Sequence, residues 1–149
     1  SKQHGWTASV RTTPTLLSIL HLDTVYDYCF KNKVFVESCN FLNEPKFLRP
    51  SVLPAPYRKQ VLERISSWLE RQSPNCNDSK IINIRNKSTV DQQIIEDFIS
   101  YKNYLEKEPD ESFRLPDTVS YIKRLESVRH NSVLNYLPEY EELFRTAGY

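Results

Sequence analysis

The first recognisable pattern is Ala8 to Thr13, where Val10 sits among Ser and Thr residues and the run stops at Pro14, which predicts a short strand. The apolar turn Leu16, Leu17, Ile19, Leu20 then leads into Leu22, Val25, Tyr26, Cys29 and Phe30, the spacing of one helical face. Asp23 suits the free N–H groups at the start of that helix, and Lys31 and Lys33 suit its end. Val34 to Phe41, with Val34, Phe35 and Val36 in a row and Cys39 and Phe41 beyond, reads as a buried strand.

After Pro45 no segment combines β-branched and aromatic residues as a strand would, and the pattern turns helical. Leu53-Pro-Ala-Pro-Tyr57 opens a helix whose face is Tyr57, Val61, Ile65, Trp68 and Leu69. Residues 73–78 predict a loop, followed by a short apolar segment at Ile81, Ile82 and Ile84. Ser88 to Asp91 matches a capping box with Asp in place of Glu, and Val90, Ile94, Ile95, Phe98 and Leu105 extend a helix of about five turns. Glu106 to Glu111 reads as an acidic linker, and Asp117 as the cap of a helix carrying Val119, Ile122, Leu125 and Val128. A last helix follows Pro138, with Leu143 and Phe144 inward and Glu139, Glu141 and Glu142 in its first turn, where the dipole favours carboxylates. The chain shows no internal repeat and no low-complexity tract.

Two strands joined by a helix are most naturally parallel neighbours linked by a crossover. A two-stranded sheet does not stand alone, and parallel strands need cover on both faces. The expected class is therefore α/β: residues 1–50 as terminal strand–helix units of a larger sheet, and residues 51–149 as a helical C-terminal extension packed on them as one compact unit. The uncovered apolar surface of such a piece would promote self-association.

Composition narrows the function. The 149 residues are enough for one core without metals or disulfides, and a net charge of +1 disfavours a phosphate backbone as the main partner. No apolar run is long enough to span a bilayer, and the N-terminus lacks the apolar core of a signal peptide, so a cytoplasmic location is expected. The absence of Met, even at position 1, leads us to expect a fragment, a processed chain or an edited one. Glycine occurs only at Gly5 and Gly148, which excludes phosphate-cradling loops built on clustered glycines. Cys29, Cys39 and Cys76 are scattered and signal neither a disulfide framework nor a zinc site. His4, His21 and His130 lack the spacing of a helical metal site and are expected at the surface or at caps, whereas Trp68, Tyr101 and Tyr104 are expected in the core.

The order of certain motifs is more specific. Val10-Arg-Thr-Thr-Pro-Thr-Leu-Leu-Ser-Ile-Leu-His-Leu22 is followed by Tyr26, Asp27 and Tyr28, then by Asn43-Glu-Pro45, Phe47, Leu48 and Ser51-Val-Leu-Pro54. Near the end stand Tyr121 to Arg129 and Leu137-Pro-Glu-Tyr140. This order resembles the late part of radical S-adenosylmethionine proteins, in particular the twitch-domain group common in phage and environmental bacterial genomes, over most of the chain. Leu17-Ser-Ile19 departs from it, standing where the group carries Asn.

The resemblance implies the last two parallel strands of an incomplete β/α barrel. It also implies a 4Fe-4S cluster and S-adenosylmethionine for the full-length protein, with the substrate unidentified and a missing N-terminal barrel part as partner. The group's C-x-x-x-C-x-x-C motif is absent from this chain, so neither cofactor is expected to be bound by it alone, and the chain as given is expected to be inactive. Barrel chemistry lies at the C-terminal ends of the strands. That rule selects Arg11, Thr12, Thr13 and Asn40 toward the adenosyl group, and Asn43 and Glu44 toward substrate. The competing reading makes Thr12 and Thr13 a strand end and Asn40 to Glu44 a turn, and makes Cys39 a small buried thiol rather than a ligand. A small, mostly helical interaction protein without catalysis is the alternative function.

Overall fold

The computed structural model describes residues 8–37, 40–76 and 90–149, the last four residues of the second helix by backbone alone. His4, Cys39, the apolar segment at Ile81 to Ile84 and the capping residues Ser88 and Thr89 lie outside the described residues. The strands β1 (Ser9–Arg11) and β2 (Phe35–Glu37) pair in parallel, with Ser9 opposite Phe35, Val10 opposite Val36 and Arg11 opposite Glu37. Between them runs α1 (Leu22–Asn32), preceded by a 3-10 turn at Ile19–His21. Among the described residues no third strand joins this sheet.

β2 is shorter than the expected Val34 to Phe41 run. Beyond it, Phe41 stacks on Tyr104 with ring centres 3.8 Å apart. The helix α1 ends where Lys33 adopts a left-handed conformation, φ 53°, and its N–H bonds back to the carbonyls of Cys29 and Phe30.

The remaining regular elements among the described residues are helical, chiefly α2 (Ala55–Cys76), α3 (Val90–Lys107), α4 (Leu115–Arg129) and α5 (Glu141–Thr146). Three expectations need correction. The helix α2 continues through Ser73 to Cys76, where a loop was expected; a proline near the end of a helix removes one N–H donor without preventing a final turn. Asp117 lies in the first turn of α4 and not at its cap, because a 3-10 turn at Ser112–Arg114 and Pro116 start the helix earlier. Val128 is exposed, since α4 buries Leu115, Thr118, Val119 and Ile122 and its last turn runs beyond the core.

One cluster forms the core. Trp68 of α2, Tyr26 of α1 and Phe98 and Tyr101 of α3 are fully buried there, with Tyr26 stacked on Phe98 at 4.0 Å and Trp68 edge-on to Phe98 at 5.4 Å. The Trp68 indole N–H donates to Asp27 at 3.1 Å, and the Tyr26 hydroxyl donates to Asp97. Tyr104 is half-buried, so the aromatic residues of α2 and α3 fill the interior as their spacing predicts.

The segment between sheet and helices is pinned from several sides. Leu16 N–H donates to the Leu48 carbonyl at 2.8 Å, and the Leu16 carbonyl accepts from the Tyr140 hydroxyl at 2.9 Å, which ties the chain's two ends to the middle. Thr118 donates its hydroxyl to the Phe47 carbonyl. Arg58 of α2 gathers the carbonyls of Ser51, Glu108 and Pro109 at 2.9, 2.6 and 2.9 Å, which locks the connection between α3 and α4 against the 3-10 turn at Pro50–Val52.

Candidate functional site

Side chains alternate along a strand, so the two faces of the β1–β2 pair are chemically different. Val10 and Val36 point to the core, and Val36 is buried against α1 and α3. Ser9, Arg11, Phe35 and Glu37 occupy the opposite, solvent-facing side. There Arg11 forms an ion pair with Glu37, and the Ser9 hydroxyl donates to the second Glu37 oxygen at 2.8 Å. The Ser9 bond first, and then the bond and charge of Arg11, hold the Glu37 carboxyl below its usual value. The face therefore carries an organised acid–base pair beside an exposed phenyl ring.

Sequence reasoning selects the rim at the C-terminal end of this sheet, and the structure sets Thr12 and Asn40 of it side by side. The Asn40 N–H donates to the Thr12 carbonyl at 2.9 Å, so Thr12 and Asn40 are adjacent across the strand exits, directly beyond the Arg11–Glu37 pair. Thr13 and Asn40 are exposed, and their side chains make no hydrogen bond among the described residues. Asn43 and Glu44 stand one turn further on. The Asn43 carbonyl accepts from Arg49 at 2.6 and 3.0 Å, and the Glu44 carboxylate accepts from the Lys46 N–H at 3.2 Å, beside a cis Glu44–Pro45 peptide. These two residues thus shape a turn, the structural role that competes with substrate binding.

Behind that turn lies a polar cluster that sequence reasoning missed. Arg49 reaches Glu111 at 3.5 Å, Arg114 reaches the other Glu111 oxygen at 3.0 Å, and the Tyr104 phenol lies within reach of Glu108. Burial and then the Glu108 bond push the Tyr104 phenol up to about 12. Only the proximity of residues some 60 positions apart creates this cluster, and no short motif announces it. Its charges are satisfied within the protein, which marks it as a brace for the rim.

Cys29 is fully buried on α1, and burial raises its thiol above the usual value. It is therefore sealed away from any ligand. His21 faces Glu139 at 3.4 Å at the surface, and His130 caps α4 in a left-handed conformation, φ 56°. Among the described residues no group of three or more His, Cys, Asp or Glu side chains converges as metal ligands would. No described helix is long and apolar enough to cross a membrane.

Comparison with protein-family models, with curated proteins and with solved structures returns no match for this chain.

Proposed function

We propose that this chain is the C-terminal part of a radical S-adenosylmethionine enzyme, contributing the last two strands of an incomplete β/α barrel and a helical extension. The observation that carries the reading is the bare face of the parallel pair. Parallel strands are ordinarily covered on both sides. Among the described residues one side is covered by helices, while the other presents Ser9, Arg11, Phe35 and Glu37 around a formed ion pair. A barrel interior is a surface of that kind: lined by alternate residues of each strand, enclosed by further strands and polar toward the C-terminal rim. The ordered motifs from Val10 to Pro54 and from Tyr121 to Tyr140 support the same reading by resemblance.

Cys29 is buried within the helical core, and among the described residues no group of three or more His, Cys, Asp or Glu side chains converges, so they offer no thiolate set for an iron–sulfur cluster. No step through a cluster is assigned to them. Toward S-adenosylmethionine the chain offers one side of a rim. Thr13 and Asn40 would supply hydrogen bonds to the adenosyl group, and Arg11, held in place by Glu37, would supply a fixed positive charge for a carboxylate. S-adenosylmethionine, when reduced, supplies the carbon radical that such enzymes use. Asn43 and Glu44 would face substrate only through the turn that Arg49 holds.

The test begins with the reading frame that encodes the chain. We expect it to continue upstream into three closely spaced cysteines, and the protein expressed from it, reconstituted anaerobically with iron and sulfide, to cleave S-adenosylmethionine reductively. Replacing Arg11 by Ala should weaken that cleavage at low cofactor concentration. A frame without the cysteines, or a reconstituted protein with neither cluster absorbance nor cleavage, overturns the proposal in favour of a helical interaction protein.

A further inference from the structure

A cavity of about 330 Å³ lies between α4, the 3-10 turn at Val133–Asn135 and Leu17, away from the sheet face described above. Its size falls at the lower end of small-molecule pockets, roughly 300–1,000 Å³. Leu17, Ile122, Leu125 and Val133 make its walls apolar. Two charged side chains border it, and their states differ. The Glu126 carboxylate is fully engaged: it accepts from the Val133 N–H at 2.5 Å and from the Tyr149 hydroxyl at 2.9 Å to each oxygen. Arg129, one turn further along α4, makes no hydrogen bond or ion pair through its side chain among the described residues.

These facts set an orientation for a ligand. Glu126 and the carbonyls at the end of α4 place negative potential at the wall, which repels an anionic head from the interior. The exposed guanidinium of Arg129 attracts it at the mouth. We propose that this cavity binds a small monocarboxylate with an unbranched apolar tail, the tail against Leu17, Leu125 and Val133 and the carboxylate on Arg129. The proposal goes beyond the radical-enzyme reading and does not rest on it, since no residue of the sheet rim takes part.

Octanoate is the probe, followed by methyl-resolved NMR of the leucine and valine side chains. We expect saturable shifts confined to Leu17, Leu125 and Val133, with affinity rising about fourfold per methylene from hexanoate to octanoate, as burial of a CH₂ predicts. Octanol should bind at least tenfold more weakly than octanoate, and Arg129→Gln should remove that preference while leaving the octanol affinity unchanged. Arg124→Gln, which alters a charge on the same helix away from the cavity, should have no effect. Absence of saturable shifts, shifts centred elsewhere, or equal binding of octanol and octanoate overturns the proposal. The same outcome follows if Arg129→Gln retains the preference. Because the readout is binding to the chain itself, failure here leaves the cleavage test of the preceding proposal untouched.

Discussion

Single side chains anchor this protein where a buried polar group bridges segments distant in sequence. The Tyr140 hydroxyl reaches the Leu16 carbonyl across 124 residues of sequence, in a site shut off from water. Tyr140→Phe keeps the ring and strands that carbonyl, so a loss of about 1–2 kcal/mol is expected in urea unfolding. Cys29 poses the opposite case, a reactive group made inert by burial. In a chain with Cys39 and Cys76 replaced by Ser, the remaining thiol should react with an aromatic disulfide reagent only at the rate of unfolding; rapid labelling of the native protein would contradict the sealed core.

Asp27 links residue chemistry to pH. Its carboxyl is held below the ordinary value first by the bond from Lys31 and then by the Trp68 indole. The folded state thus favours the ionised form, and its stabilisation is complete above the ordinary carboxylate range near about pH 4. It fades as pH falls through the lower folded value. Asp27→Asn should therefore flatten the acid side of the stability profile while lowering stability at neutral pH. Tyr104 has the reverse sign. With its phenol raised to about 12, stabilisation is complete below about pH 10 and is lost as pH rises toward 12, a loss that Tyr104→Phe should remove.

At the scale of elements, the connection between α3 and α4 is fastened by one residue of α2. Arg58 accepts no substitute in geometry, because its guanidinium serves three carbonyls at once. Arg58→Ala should cost about 3 kcal/mol by chemical denaturation, and Arg58→Lys should recover less than half of that. The rim depends on a similar fastening. Arg49 grips the Asn43 carbonyl while pairing with Glu111, so an Arg49→Ala variant should loosen the turn carrying Asn43 and Glu44 while leaving α2 and α3 intact. Amide exchange resolves this: faster exchange is expected at residues 43–48 and unchanged protection at 61–69.

For the whole molecule, the determining feature is an asymmetry of cover. Helices α1, α2 and α3 enclose Trp68, Phe98 and Tyr26 completely, whereas among the described residues helices cover one face of the two-stranded sheet. Strand pairs of three residues contribute little on their own. The chain alone should therefore show slow amide exchange in α2 and α3, rapid exchange in β1 and β2, and concentration-dependent self-association measurable by sedimentation. Protection in β1 equal to that in α2 would show that the sheet needs no further strands.

The order of strand, helix, strand and then helices was legible because the apolar spacing of each segment is a local property. Leu22 to Phe30 can bury one face only as a helix, and Tyr57 to Leu69 likewise. The aromatic core was legible for the same reason. The rim was partly legible, since Arg11, Thr12 and Asn40 follow from strand ends, and their adjacency follows from parallel pairing. Tertiary structure alone decided that Phe41 stacks on Tyr104, that Arg49 meets Glu111, and that Arg58 binds three carbonyls. It also decided that Val128 stays in solvent. Those outcomes rest on contacts between distant segments, whose energies depend on which surfaces meet; a local pattern can state that a side chain is apolar or charged, but only the assembled fold supplies its partner.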